Sequence, residues 1–152
     1  MPAPKEYLAI EVYTAPPQKL QLMLIEGAIR NLQLARQFWM GQQDEAGAER
    51  IMRAQEIVGQ LLAGLDLQSR DPLVQRVAGV YTYLVRALAR VHSPSDAETL
   101  DGVLRVLEIE RGTWQEIYRQ LGRQKAATGA NGPHFGVPSS TVAHAERFSL
   151  EA

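Results

Sequence analysis

Along most of this chain, apolar and polar residues recur with a helical rather than an alternating period. The first such stretch is unusual. Wound at ~100° per residue, it puts Leu20, Met23, Leu24, Gly27, Ala28, Leu34, Ala35, Phe38 and Trp39 on one broad side. Leu22, Ile25, Ile29 and Leu32 fall on a second side, and Glu26, Arg30, Gln33 and Gln37 form the only continuous polar strip. The apolar arc covers roughly 260°, against the ~100° stripe that a single core face requires. Such a helix is expected to be covered on two sides. Pro16 bars an earlier helix from running through, because a residue before proline is pushed toward extended backbone. Pro17 suits a first helical position, where its missing N–H costs nothing, so the helix is expected from Pro17 to about Met40, ending near Gly41.

Three more helices follow. "DEAGAERIMRAQEIVGQLLAGLD" carries Ile51, Ala54, Val58, Leu61 and Leu65 at alternating spacings of three and four, with Asp44 as the expected N-cap. "SRDPLVQ" starts the third, with Asp71 as N-cap and Pro72 at the first helical position. Leu73, Val77, Leu84, Leu88 and Val91 continue it. The fourth begins around "HSPSDAETL", with either Ser93 before Pro94 or the capping box Ser95-x-x-Glu98. It runs through Leu100, Leu107, Trp114 and Leu121, and Gly122 is the expected stop. Short links make sequential helices antiparallel neighbours. The pattern predicts an all-α protein, an antiparallel up-down four-helix bundle over residues 17–121. Residues 1–16 form an N-terminal cap segment, extended or in a short helix, and the Gly-, Ala-, Ser- and Pro-rich residues 122–152 form a flexible tail. Gly27, Gly59, Gly64 and Gly79 sit inside helical patterns, where close approach of a neighbouring helix is the expected reason for them.

Composition narrows the function. With 16 basic and 17 acidic residues the formal charge is −1, which argues against a non-specific nucleic-acid binder. The absence of cysteine rules out disulfides and thiolate metal sites and suits a reducing cytoplasm. Neither a secretory signal nor a run of ~20 apolar residues long enough to span a bilayer is expected.

Enzymatic chemistry finds no foothold. His134 and His144 lack a partner at the spacing that would place two ligands on one helical face, and His92 has only Asp96, across Pro94 at a helix boundary. Glu108 and Glu110 point ~200° apart on a helix, and no phosphate loop, nucleophile elbow or zinc-binding helix motif is present. No catalysis and no cofactor are expected, so function must reside in surfaces. Tyr81 and Tyr83 also point ~200° apart, so one of them is expected to face a partly exposed groove.

Tyr7-x4-Val12-x-Thr14-Ala15-x-Pro17, then Leu20 and "MLIEGAIRNL" at 23–32, resemble the N-terminal signature of the FliS family of flagellin export chaperones. "RAQEIVGQLLAGLD" at 53–66, "VYTYLVRALARV" at 80–91, Asp96 and "TWQE" at 113–116 agree in order. Pro16 stands where the family commonly has Ser, Ile25 where it commonly has an aromatic, and Val91-His92 where Ala-Asn is frequent. The resemblance implies a bacterial cytoplasmic chaperone that binds the disordered C-terminal segment of flagellin, prevents its premature polymerisation and helps present it to the flagellar export gate. It implies a binding groove involving Leu22, Ile25, Ile29, Leu32, Tyr81 and Tyr83. A leader carrying Tyr7, Leu8, Ile10, Val12 and Tyr13 would serve as its temporary cover. The alternative is a generic helical adaptor or homodimerisation module using the same apolar surface.

Overall fold

A computed structural model of the chain describes residues 17–128. The leader, and the tail from residue 129 onward, lie outside the described residues. Within them are four α-helices: α1 (Pro17–Met40), α2 (Asp44–Ala63), α3 (Pro72–Leu88) and α4 (Ala97–Thr128). A 3₁₀ turn, Pro94–Asp96, precedes α4. The first three match the helices expected from periodicity. Gly122 does not end the fourth, because "RQKAA" beyond it favours helix and no proline intervenes, so α4 continues to Thr128.

The helices form an antiparallel ring in which α1 packs on α2 and α4, α2 on α3, and α3 on α4. Specific contacts join three of these pairs. Near the middle of α1, Gly27 faces Ile57 of α2, whereas Trp39 near its end meets Gly47. Arg36 of α1 pairs with Asp101 in the first turns of α4. Between α2 and α3, the Gln55 Nε2 donates to the Leu88 carbonyl at 2.8 Å. That bond gives a second donor to the Leu88 carbonyl, which also accepts the Val91 N–H at 3.0 Å.

The caps explain where the helices begin. The Asp71 Oδ1 accepts from the Leu73 N–H at 2.9 Å, with Pro72 opening α3 as expected. At the next corner the Asp96 Oδ2 accepts from the backbone N–H groups of His92 and Ser93, at 2.8 and 3.1 Å. These donors, that of His92 foremost, hold the Asp96 carboxyl below the usual carboxylate range. Ser93 before Pro94 is therefore the boundary used, rather than the Ser95–Glu98 alternative. Asp44 is not the cap of α2: it lies in the first turn, and Gln43 precedes it without a side-chain bond. The Asp44 carbonyl instead accepts the Trp39 indole N–H at 3.1 Å.

Among the helical glycines, the close approach falls at one that periodicity did not single out. A Cβ on Gly47 would overlap the Trp39 indole, whereas at Gly59 and Gly79 it would meet nothing within 4 Å. At Gly27 the contact with Ile57 Cδ1, 3.6 Å, is ordinary packing, and Gly64 is the C-cap of α2. Because the Trp39 ring is held by its bond to Asp44, it cannot yield easily to a methyl group. Gly47→Ala is expected to destabilise the bundle by about 1–3 kcal/mol. Gly79→Ala, in an open helix interior, is expected to stabilise it by about 0.5–1 kcal/mol. Urea unfolding of both variants beside the parent chain measures the two opposite signs.

Candidate partner-binding surface

The two-sided covering of α1 comes from the bundle itself. Ile25, Ile29 and Leu32 are 0, 2 and 0 % exposed and belong to the hydrophobic core, and Leu22 is partly buried against it. This corrects the expectation that these residues form an open partner surface. The α1 helix sits between α2 and α4 with α3 across the diagonal, so its wide apolar arc meets three neighbours rather than one. Ile25, in place of the family's common aromatic, therefore fills core volume in this chain. Tyr81 is likewise buried. Tyr83 is 48 % exposed on the outward side of α3, so the expected split between the two tyrosines holds. Tyr7, Leu8, Ile10, Val12 and Tyr13 lie outside the described residues.

Tyr81 ends in a polar cluster that periodicity did not reveal. Its hydroxyl donates to the Gln21 Oε1 at 2.7 Å, joining α3 to α1 through the bundle interior. Gln21 is fully buried, and its Nε2 has no hydrogen-bond partner among the described residues. Burial, reinforced by the nearby Glu110 charge, pushes the Tyr81 phenol far above its ordinary value, so it remains a donor. Burial also raises the Glu110 carboxyl, while side-chain hydrogen bonding to Trp114 acts the other way. The cluster thus draws on α1, α3 and α4. The only sequence sign of it was Gln21, a polar residue inside an apolar stripe.

Among the described residues, an open apolar concavity lies elsewhere. Between α2 and α3 runs a groove of about 470 Å³, lined by Ala48, Ile51, Met52, Gln55, Val85, Ala89, Val91 and His92. Buried Ile51 and Val91 form its floor, and Met52, 60 % exposed, stands at its rim. Small side chains at Ala48 and Ala89 keep it open, and the bond from Gln55 to the Leu88 carbonyl ties its two walls together. A charged shelf of Glu49, Arg50, Arg53 and Glu56 continues from Met52 along α2. None of the residues expected to bind a partner lines this groove. Met52 and Gln55 lie on the flank of the α2 stripe, and their value depends on which helix packs beside α2, which one-helix periodicity does not reveal. Among the described residues no three His, Asp or Glu side chains converge as a metal site, and no helix is long and apolar enough to cross a membrane.

The described helices define the class of antiparallel all-α four-helix bundles, here with an apolar groove between α2 and α3. The chain matches the family "Flagellar protein FliS" over residues 1–121, and it belongs to that family, one of chaperones rather than enzymes. It is 26% identical over 106 residues to a flagellar secretion chaperone FliS of Escherichia coli K12, covering 69% of this chain and 78% of that one. It is 25% identical over 123 residues to the Bacillus subtilis 168 protein of the same name, covering 81% and 91%. A Vibrio cholerae O1 protein, also a flagellar secretion chaperone FliS, is 22% identical over 107 residues, covering 70% and 79%.

Two measurements test the polar cluster. Tyr81→Phe strands the buried Gln21 amide and is expected to cost about 1–3 kcal/mol, whereas Gln21→Leu with Tyr81→Phe recovers much of that loss. A double-mutant cycle by chemical denaturation reads the coupling directly. The second test concerns Glu110. Its pKa is higher folded than unfolded, so between those two values the folded chain holds the extra proton. Stability from this group therefore rises as pH falls from neutral through the folded value and levels off below the unfolded one. Glu110→Gln is expected to melt higher than the parent near neutral pH. The gap should close as the parent is acidified, which paired thermal melts across pH will show.

Proposed function

We propose that this chain is a cytoplasmic flagellar secretion chaperone whose cargo is flagellin, held through its C-terminal segment. The observation that carries the reading is the α2–α3 groove, an apolar, partly open channel on a chain of the FliS family. The names of the relatives, flagellar secretion chaperones, support the flagellar part of it. A disordered segment that folds into a helix along such a channel presents apolar side chains at three- and four-residue spacing to Met52, Val85 and Ala89. Ordering the segment costs about 2–5 kcal/mol or more. Apolar burial of ~1,000 Å², spread over the groove and neighbouring surfaces, supplies ~25 kcal/mol gross, so the contact must be extensive to leave a useful surplus. While held, the cargo cannot use the same apolar faces for polymerisation, and the complex can be presented to the export gate.

The leader supplies a second part of the reading. Tyr7, Leu8, Ile10, Val12 and Tyr13 give residues 1–16 the apolar character needed to shield bundle surface until cargo displaces them. A chain without residues 1–15 would keep its helical signal and bind more of an apolar dye. Pairing with a second copy through the same apolar surface is the competing reading.

Isothermal titration of the chain with a peptide of the flagellin C-terminal segment tests the proposal. The expected result is a complex, with the peptide gaining helical circular dichroism. Met52→Glu and Ala89→Glu, at exposed groove positions, should each weaken it roughly tenfold or more, or ~1.4 kcal/mol. Absence of binding, or unchanged affinity in both variants, would reject the groove as the cargo seat. A stable dimer indifferent to flagellin would favour the competing reading.

A further inference from the structure

We propose that the outward face of α3 is a docking stripe for an acidic helix of a second protein, separate from the α2–α3 groove. Pro72, Arg76, Gly79, Tyr83, Arg86 and Arg90 recur at alternating spacings of four and three, and all are exposed. That is the spacing of a seam between two helices lying nearly parallel. The first five stand on α3 and Arg90 in the turn that follows it.

Charge selects the occupant. Helix α3 contains no Asp or Glu from Pro72 to Leu88. The guanidinium groups of Arg36, Arg53 and Arg119 are paired with acids on the bundle. Arg76, Arg86 and Arg90 form no ion pair with described residues, and Tyr83 stands between them on the same line. Arg86 and Arg90 also complement the negative end of the α3 dipole. That role does not extend to Arg76, nearly three turns before Arg86, or to the half-exposed ring of Tyr83.

The middle of the stripe is built for close approach. Gly79 sits in the interior of a helix it weakens, and a Cβ there would meet nothing within 4 Å. No packing within the described bundle requires that glycine. A partner backbone crossing at Gly79 would lie beside Tyr83, a residue type that supplies anchor contacts at interfaces, with arginines on either side. Arg76 and Arg86 are ten residues apart on α3, which places them ~15 Å apart along its axis, and Arg90 follows in the turn beyond the helix. A partner helix with carboxylates along one stripe, at seven-residue spacing and at the three- and four-residue positions between, spans that distance and can engage a guanidinium with two parallel bonds. A second copy using the same face would set arginine against arginine. Duplex DNA is disfavoured by the formal charge of −1 and by a single straight row of cations.

The test uses the full chain and two labelled helical peptides of equal composition. One carries its glutamates along one stripe at seven-residue spacing, and the other has them scattered around the helix. Fluorescence anisotropy is expected to show tighter binding of the aligned peptide, weakening as salt is raised. Arg76→Glu with Arg90→Glu, and separately Tyr83→Ala, should reduce that affinity roughly tenfold or more while the far-ultraviolet spectrum is unchanged. Gly79→Ala should weaken binding while raising the melting temperature. Absence of binding, equal binding of the two peptides, or unaffected variants would overturn the proposal. So would preferential retention of phosphatidylglycerol vesicles or duplex DNA by the same arginines. The inference stands apart from the cargo reading. If the arginine variants lost the flagellin C-terminal segment as well, the stripe would belong to the cargo seat and a separate partner would be excluded.

Discussion

The burial of α1 on both flanks organises this molecule. Gly27 and Trp39 of that helix meet α2, and Arg36 reaches α4. Between these flanks Ile25, Ile29 and Leu32 point into the core. A helix apolar over most of its circumference cannot be satisfied by one neighbour, so the chain must fold back around it twice. α3 then closes the ring, and the bond between Tyr81 and Gln21 fixes its height against α1 across the interior. Apolar packing alone tolerates a shift of a helix along its neighbour. A buried polar pair with a defined partner penalises that shift, because a misplaced Gln21 amide would lose its one bond.

This arrangement determines what remains for function. With Ile25, Ile29 and Leu32 enclosed, α2 and α3 supply the walls of the apolar groove. Ala48 of α2 and Ala89 at the C-cap of α3 line an apolar groove between them, and Gln55 ties the two helices through the Leu88 carbonyl. α3 consequently presents three different faces: a core face through Tyr81 and Leu84, a groove wall through Val85, and an outward face carrying Arg76, Tyr83 and Arg86. A small chaperone gains from such economy, since apolar and charged contacts can be made by separate surfaces of one rigid helix. On the proposed cargo reading, the bundle would hold a disordered segment along the groove without itself rearranging, and the ordering cost would fall on the cargo.

Much of the fold was legible in the sequence. Helical periodicity, the Pro17 and Pro72 starts, and Asp71 as a cap are local features, so they place helices without knowledge of their neighbours. Trp114 at sevenfold spacing from Leu107 and Leu121 was readable as core for the same reason. The site was far less legible. Periodicity divided α1 into two apolar sides but carried no information on which side would be enclosed. Gln21 broke a stripe without naming Tyr81 sixty residues away. Gly47 looked like an ordinary helical position until Trp39 was folded against it.

The sequence by itself determined an all-α chain of amphipathic segments, the proline-marked starts of the first and third, and the excess of apolar surface on the first of them. Its ordered motifs also pointed to the family. Only the tertiary structure decided that this excess is spent within the bundle and that the open groove lies between α2 and α3. The reason is physical. Backbone periodicity and capping depend on residues a few positions apart, whereas exposure depends on which distant helix arrives to cover a face. Ile25 and Tyr83 show the difference: an apolar side chain expected to meet a partner is buried by its own chain, and a tyrosine two residues from a core residue faces outward.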